Sequence, residues 1–277
     1  MEGYAYYNGK IGRCNDVSIP LTDRLIYFGD AVYDVITGHS GKLFLVNDHI
    51  DRLFSGMAKL NMIPYFTKDD LLVLIHTLIN VSAYKSYLIY ISCSRGADER
   101  RHSYLDCSYV NLLITIKEFY PQLNSDALKL ITVDDERYNY CNIKTVNLLP
   151  SVMASTKADI LGCDEAVFVK NGIITECAHS NIFIIKDNVL ITHPESSSIL
   201  SGIIRKYLIK NVADYNVLVN ERAFSVEEMF SADEIIVTST TKLAKEARII
   251  NNIEVGGKNP TLLSIIKNSL DHAYHNI

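Results

Sequence analysis

The sequence predicts a mixed fold of the α+β or α/β class, arranged in two blocks. Short runs rich in Val, Ile and Tyr alternate with helical patterns along the chain. The segment FYPQLNS, residues 119–125, places a proline and polar residues between two strand-like runs. The 277 residues are 48% hydrophobic and 21% charged, enough apolar material for two cores. We therefore expect an N-terminal domain over 1–119, a linker over 120–125 and a C-terminal domain over 126–277.

The first block is expected to begin with a hairpin, because YAYYNGKIGR places two strand-like runs around Asn8-Gly9. VYDVITGHSGKLFLV predicts a second strand pair around a loop that contains glycine. A helix should follow, with Asn47 as its N-cap and Arg52 away from the apolar face. That face is predicted to contain Ile50, Leu53, Phe54, Met57 and Ala58. LLVLIHTLI predicts a second helix, and YLIYISCSRG and YVNLLITIKEF predict sheet strands.

In the second block, LKLITVDDER predicts a strand, and LPSVMASTKADILG predicts a helix from near Pro150 to Gly162. AVFVKNGIITE predicts a hairpin around Asn171-Gly172, and SNIFIIKDNVLITH predicts another. ILSGIIRKYLIKNV predicts a helix with a glycine at its entrance, and DEIIVTSTTKLA predicts a buried strand that ends in a run of hydroxyls.

Composition and motifs exclude several classes of function. The net charge is -5 and the basic residues are scattered, which argues against a nucleic-acid-binding face. The N-terminus lacks a signal-peptide pattern, and no run of about 18 apolar residues predicts a membrane span. Six dispersed cysteines without a C-x-x-C pair indicate reduced thiols in the cytoplasm and no metal site. Neither H-E-x-x-H, nor G-x-S-x-G, nor a P-loop is present.

Two charged residues stand beside apolar runs. Lys144 lies between Ile143 and Val146, where the apolar pattern predicts a buried position. A lysine that loses its proton in such a position becomes a nucleophile. Glu176 ends an apolar run and is followed by Ser180 and Asn181, side chains that orient ligands through hydrogen bonds. The ordinary alternatives are a lysine with its charge in water and a carboxylate in a solvated turn.

Three other segments suit the binding of anions. Gly202 opens a helix, so the amides of Ile203 and Ile204 are available to a phosphate. TSTT, residues 238–241, adds the hydroxyls of Ser239 and Thr240. CSRGADERRHSY concentrates arginines, which suit carboxylates. The alternatives are a capping glycine, a polar loop and a charged surface loop.

Pyridoxal 5'-phosphate (PLP) is a cofactor that needs all these parts together. Its aldehyde takes a lysine, its pyridinium nitrogen takes a carboxylate, and its phosphate takes amides and hydroxyls. The five segments therefore favour a PLP enzyme.

Several segments resemble the class IV aminotransferases, the fold-type IV PLP enzymes. They are FGDAVYDVITGHSGKLFLVNDHIDRL, NIKTVNLLPSVMASTKA, ITECAHSNIFIIKDNVLITHP, ILSGIIR and VTSTT, in the same order from about residue 4 to about residue 250. The resemblance implies a smaller N-terminal α/β domain, a larger C-terminal pseudo-barrel domain, and a homodimer with its active site at the interface.

The resemblance also implies roles for individual residues. Lys144 holds the cofactor aldehyde and later moves the proton, and Glu176 pairs with the pyridinium nitrogen. Arg52 binds the phosphate, with the Ile203 and Ile204 amides and the Thr240 region.

Within the family, RRH at 100–102 resembles the D-amino-acid aminotransferases, in which such a loop is lent across the dimer. Tyr33, Arg100 and His102 are then expected to bind the substrate α-carboxylate. The chain departs from that pattern at Ile204, where a threonine is usual, and at Ala178 and His179, where small hydroxyl residues are usual.

The activity that the resemblance implies is transfer of the amino group of a D-amino acid, of the D-alanine type, to a 2-oxo acid such as 2-oxoglutarate. The alternatives are a branched-chain aminotransferase, a 4-amino-4-deoxychorismate lyase, and a degenerate module that only binds cofactor or a partner.

Overall fold

The computed structural model describes residues 3–105, 109–121 and 126–277. The chain divides into two compact units. The first comprises Met1–Tyr120 and Ile143–Asn147, and the second comprises Pro121–Asn142 and Leu148–Ile277.

The first unit is built on one antiparallel sheet. Its strands are β1 (Tyr4–Tyr7), β2 (Lys10–Arg13), β3 (Ala31–His39), β4 (Lys42–Leu43), β5 (Ser86–Ser94) and β6 (Asn111–Glu118). They lie in the order β2-β1-β6-β5-β3-β4. The hairpin predicted between β1 and β2 is confirmed. Asn8 and Gly9 have φ of 42° and 93°, and a two-residue hairpin turn of type I′ requires positive φ at both residues.

Three helices accompany this sheet. They are α1 (Arg24–Phe28), α2 (Val46–Lys59) and α3 (Lys68–Ser82). The core combines apolar side chains of α2 and α3 with the inner face of the sheet, among them Leu53, Met57, Leu71, Ile75 and Ile89. The sequence predicted α2 and α3 but not α1, a five-residue helix that begins after Asp23 and ends at Gly29.

The start and the apolar face of α2 differ from the prediction. Asn47 is not the N-cap: the helix begins at Val46 after Leu45, which has a left-handed φ of 50° and makes no side-chain cap. Ala58 is exposed, and Gly56 is buried instead, facing Val32 of β3.

The second unit is built on a mixed sheet of nine strands. They are β7 (Leu128–Asp134), β8 (Glu165–Lys170), β9 (Ile173–Cys177), β10 (Asn181–Lys186), β11 (Val189–Thr192), β12 (Leu218–Glu221), β13 (Glu234–Ser239), β14 (Leu243–Ile250) and β15 (Ile253–Glu254). The order is β12-β11-β10-β13-β14-β7-β8-β9, with β15 on β14. The pairs β7-β8, β7-β14 and β11-β12 are parallel.

Both predicted hairpins of this unit are confirmed. Asn171-Gly172 connects β8 to β9, and Asp187-Asn188 connects β10 to β11, all four residues with positive φ. The helices are α4 (Leu149–Ile160), α5 (Ile203–Asn211), α6 (Val226–Ser231) and α7 (Pro260–His275). The sequence predicted α4 and α5, whereas α6, α7, β12, β14 and β15 were not predicted.

Residues 143–147 lie in the first unit although the sequence predicted them within the C-terminal domain. Thr145 forms a bridge with Val32, and the Val146 amide donates to the Ala31 carbonyl at 3.2 Å. These bonds attach the segment to the β3 strand. The predicted linker, 120–125, falls mostly outside the described residues, which omit 122–125. Among the helices of the described ranges, none has the length and apolarity that a membrane crossing needs.

Candidate active site

Lys144 is held beside Tyr33 in the first unit. The Tyr33 amide donates to the Lys144 carbonyl at 2.9 Å, so the extended segment around Lys144 runs along β3. The Lys144 side chain is half-buried, and its Nζ lies 4.4 Å from the centre of the Tyr33 ring. An amine at that distance is attracted by the face of an aromatic ring. The structure thus brings together two predicted residues, the lysine and one member of the carboxylate-binding trio.

Arg52 lies on the side of α2 that faces β3, and not on a flank away from the sheet. Its Nε donates to Asp34 Oδ2 and its Nη2 donates to Asp34 Oδ1, both at 2.8 Å. His49, one turn earlier, places Nδ1 2.7 Å from Asp34 Oδ1. Only 13% of the Arg52 side chain is exposed, and Asp34 and His49 are fully buried. A bidentate pair fixes the plane of the guanidinium as well as its position.

The charges in this cluster follow from burial and pairing. Burial opposes ionisation of Asp34, but Arg52 and His49 outweigh it and hold the pKa of that carboxyl well below its usual range. Burial lowers the pKa of His49 more than Asp34 raises it, which favours the neutral ring. Nδ1 therefore carries the proton that Asp34 accepts, and Nε2 is a buried nitrogen without a hydrogen-bond partner among the described residues.

Arg100 and His102, the other predicted carboxylate ligands, lie in the loop after β5. Both side chains are exposed. The His102 ring lies 5.3 Å from the Phe28 ring, and Arg100 Cζ lies 5.4 Å from the same ring.

Glu176, at the end of β9, is a buried anion of the second unit. One carboxylate oxygen accepts from Arg137 Nη1, and the other accepts from Asn181 Nδ2 and the Leu200 amide, each at 3.0 Å. Only 5% of Glu176 is exposed. Three N–H donors compensate a buried negative charge, as such a group requires. The predicted pair of Glu176 and Asn181 is therefore in direct contact.

Arg137 is a site residue that was not predicted from the sequence. It also pairs with Asp135, at 2.8 Å, and stacks 4.2 Å from the centre of the Phe168 ring. Burial disfavours its charge, but the hydrogen bond to Asp135 and the charge of Glu176 outweigh burial and raise its pKa. The signal in the sequence was an arginine close to two aspartates directly after an apolar strand.

Gly202 stands where α5 begins, as predicted. A Cβ at this position would lie 2.0 Å from Asn181 Oδ1, so only glycine fits here. The amides of Ile203 and Ile204 belong to the first turn, where an α-helix supplies no acceptors of its own. Such amides bind anionic groups. The Ile204 side chain is buried and adds no hydroxyl.

The turn between β13 and β14 contains the predicted hydroxyls. Ser239 Oγ lies 3.3 Å from Thr241 Oγ1 and accepts from the Lys242 amide at 3.2 Å. Thr240 is half-buried in this turn. Thr238 Oγ1 is buried and has no hydrogen-bond partner among the residues that the structure describes.

Ser180 points its hydroxyl to another carboxylate. It donates at 3.0 Å to Glu165, which is fully buried and also pairs with Lys242 at 2.5 Å. His179 lies 3.1 Å from Lys242 Nζ through its Nε2. The hydroxyl of Ser180 is therefore committed to Glu165, and its role in cofactor binding stays a prediction.

The donor sets fit the groups of PLP. Gly202 precedes α5, whose first-turn amides of Ile203 and Ile204 have no acceptors within the helix, as a phosphate cradle requires. Glu176 is a buried carboxylate with its position fixed by three donors. Lys144 supplies the amine and Arg52 a cation of fixed orientation. Within the described residues no group of three His, Cys, Asp or Glu suits a metal ion.

Comparisons with known proteins agree with this chemistry. The family model described as amino-transferase class IV matches residues 31–250. The chain is 30% identical to a D-alanine aminotransferase of Bacillus licheniformis over 258 residues, which are 92% of this chain and 90% of the relative. It is 32% identical to a D-alanine aminotransferase of Listeria innocua over 84% of this chain and 83% of the relative.

Solved structures show the same fold at lower identity. A branched-chain aminotransferase of Thermoproteus uzoniensis, solved with norvaline, superposes with a TM-score of 0.90 at 20% identity, covering 98% of this chain and 95% of that one. A T.th. branched-chain amino acid aminotransferase, solved with N-(5'-phosphopyridoxyl)-L-glutamate, gives 0.90 at 20% identity, covering 100% and 96%. These likenesses confirm the predicted two-domain fold class.

Proposed function

The chain belongs to the class IV aminotransferase family, and we propose that it transfers the amino group of a D-amino acid of the D-alanine type to a 2-oxo acid such as 2-oxoglutarate. Enzymes of this family use PLP, and relatives of the same fold bind pyridoxal and pyridoxamine phosphate derivatives. The curated relatives at 30–32% identity are D-alanine aminotransferases, which supports the choice of donor.

The observation that carries the proposal is the anchoring of Glu176. When bound, PLP supplies a ring that accepts electrons released at the substrate Cα, and it does so best with a protonated ring nitrogen. Glu176 is a buried acceptor held by Arg137, Asn181 and the Leu200 amide. A carboxylate so fixed keeps a proton on a nitrogen placed before it, because the pair of opposite charges stabilises the protonated form.

The other residues bind and move protons. Arg52, the Ile203 and Ile204 amides, Ser239 and Thr240 are proposed to hold the phosphate. Lys144 is the amine that would hold the cofactor aldehyde, and as a free amine it would take the proton from the substrate Cα as a general base.

The remaining roles concern the substrate and the ring. Tyr33, Arg100 and His102 are proposed to bind the α-carboxylate. Asn181 supports Glu176 directly, and Ser180, whose hydroxyl donates to Glu165, is proposed to line the cofactor site beside it.

A donor screen tests the activity. Purified protein loaded with PLP is given D-alanine, L-leucine or aminodeoxychorismate, with 2-oxoglutarate as acceptor where one is needed. We expect turnover with D-alanine. Preference for L-leucine would identify a branched-chain aminotransferase, pyruvate release from aminodeoxychorismate would identify a lyase, and no visible absorption band with PLP would identify a module without catalysis.

A lysine variant tests the assignment of the amine. Lys144→Ala should lose all transamination and the absorption band that borohydride reduction removes from the native protein. Lys157→Ala, which changes an exposed lysine of α4, is the matched control and should keep both. Normal turnover by Lys144→Ala would show that another group performs the proton transfer.

We also propose that the enzyme is a homodimer. One face of α4 exposes Leu149, Val152, Met153 and Ile160 to the extent of 65%, 56%, 61% and 78%, and a stripe of this kind is typical of a contact with another protein. The proposed occupant is a second copy, as the family resemblance implies. Light scattering on the purified protein tests this, and a monomeric mass at micromolar concentration contradicts it.

The compartment is proposed to be the cytoplasm. The five cysteines that the structure describes are free thiols, as a reducing compartment maintains them. Localisation of the tagged protein in cells tests this, and an exported protein contradicts it.

A further inference from the structure

The described first part of the loop that carries Arg100 and His102, residues 95–105, is attached to α1 and to the residues just before it. At the start of the loop, the Arg24 amide donates to the Gly96 carbonyl at 2.9 Å, and the Asp98 amide donates to the Thr22 carbonyl at 3.2 Å. Asp23, the N-cap of α1, forms a bridge with Ala97. These backbone bonds fix the first residues of the loop.

The middle of the loop is held by one guanidinium. Arg24 is only 4% exposed, and its Nη1 donates to the Arg101 carbonyl at 2.7 Å and to the Ser103 carbonyl at 3.4 Å. Its Nη2 donates to the His102 carbonyl at 3.2 Å. The planar fork of an arginine supplies these donors in fixed directions, which a lysine ammonium does not.

One carboxylate connects Arg24 with the start of the loop. Asp30 Oδ2 accepts from Arg24 Nε and from Arg95 Nε, both at 2.8 Å. Arg95 in turn places its Cζ 3.9 Å from the centre of the Tyr104 ring, near the other end of the loop. The charge of Asp30 compensates the buried Arg24, as a buried cation requires.

Phe28, on the same helix, completes the support. Arg24 Cζ lies 4.7 Å from the centre of its ring, and the His102 ring lies 5.3 Å from it. The side chains of Arg100 and His102 are exposed, yet the backbone between them is bonded to a buried residue. Contacts within the protein therefore hold the backbone of residues 101–103.

We propose that Arg24 is a positioning residue that fixes the loop 95–104 and so sets the geometry of Arg100 and His102 before the substrate binds. This inference rests on the proposed function in one respect only, that Arg100 and His102 bind the substrate. Ordering the loop in advance removes an entropic cost that the substrate would otherwise have to offset. Arg24 thus acts on substrate affinity without contact to substrate or cofactor.

Two variants of Arg24 test the proposal in the PLP-loaded enzyme. Arg24→Lys keeps the charge beside Asp30 but loses the fork, and Arg24→Met loses both. We expect KM for the D-amino acid to rise about ten- to a hundredfold, the effect of losing one or two charged hydrogen bonds, while kcat changes less than about threefold. PLP affinity should stay unchanged. Arg222→Lys, which alters an arginine–glutamate pair of the second unit, is the matched control and should leave KM unchanged.

Hydrogen exchange provides a readout independent of activity. Amides of residues 96–105 in the substrate-free enzyme should exchange at least about tenfold faster in both variants than in the native protein. Unchanged exchange together with unchanged KM would overturn the proposal. A fall in kcat and in PLP affinity as large as the rise in KM would also overturn it, because Arg24 would then be a general structural residue.

If the native enzyme turns over no D-amino acid, the proposed function fails. The exchange measurement still decides in that case whether Arg24 fixes the loop. Faster exchange in the variants would support that role, and unchanged exchange would overturn it.

Discussion

Gly202 gives the sharpest test of the second unit. Its backbone angles, φ -65° and ψ 142°, are open to every residue, so a substitution here acts through space alone. The Cβ of Gly202→Ala would lie 2.0 Å from Asn181 Oδ1, whereas ordinary van der Waals contact begins at 3.4 Å. The Asn181 side chain must therefore retreat by about 1.4 Å or α5 must move.

The cost follows from what Asn181 holds. Its Nδ2 donates to Glu176 at 3.0 Å and to the Leu200 carbonyl at 2.8 Å, and a displacement of this size breaks both bonds. A hydrogen bond to a charged group contributes roughly 1.5–3 kcal/mol and a neutral one about 1 kcal/mol. We expect the free energy of unfolding of the apoenzyme to fall by about 2–4 kcal/mol, and the Kd for PLP to rise at least about tenfold.

Urea denaturation of the apoenzyme and titration with PLP measure the two effects. Gly12→Ala is the matched control, because its Cβ meets Val17 at an ordinary 3.5 Å. In an Asn181→Ala background the clashing oxygen is absent, so adding Gly202→Ala should cost less than about 0.5 kcal/mol. A Gly202→Ala enzyme with native stability and native PLP affinity would refute the steric argument, and equal costs in both backgrounds would exclude Asn181 as the obstacle.

Two further predictions concern buried titratable groups. Arg52 and His49 outweigh burial and lower the pKa of Asp34. The ionised carboxylate therefore stabilises the fold above about pH 4, and this contribution is lost as the pH falls below that value. Asp34→Asn should lower the free energy of unfolding by about 3–5 kcal/mol at pH 7 and make stability less dependent on pH in acid. The control Asp51→Asn changes an exposed partner of a lysine and should cost less than about 1 kcal/mol. Equal costs at pH 7 would contradict the role of burial. Burial raises the pKa of Cys93 to about 12, so its thiol should not react with a thiol reagent at pH 8 in the native enzyme. Peptide mapping should find Cys93 modified only after denaturation, and its modification in the native enzyme would contradict this.

The elements of the fold were predictable wherever the signal was local. Asn-Gly pairs placed two hairpins correctly, because those residues adopt positive φ at little cost. The start of α2 was not predictable, since the left-handed Leu45 before it has no sequence signature. The helix α1 was missed for a related reason: five residues show no period, and Arg24 gives no sign of burial until the loop after β5 is placed against it.

The sequence indicates the candidate site residues one by one, but it does not indicate the contacts that support them. Lys144 and Glu176 stand out because a charge interrupts an apolar run. The same signal marks Asp34 within VYDVI, and the pairing of Asp34 with Arg52 determines the side of α2 on which Arg52 lies. Arg137 meets a carboxylate 39 residues away in the chain, a pairing that only the packing of strands creates.

The segment 143–147 has a consequence for biosynthesis. The first unit is complete only when these five residues have joined it, although the rest of the unit ends at Tyr120. A ribosome must therefore deliver part of the second unit before the nascent N-terminal body can close, because the amide of Tyr33 donates to the carbonyl of Lys144. A translation pause that exposes only residues up to Tyr120 would leave an unfinished intermediate that lacks the strand-like segment around Lys144.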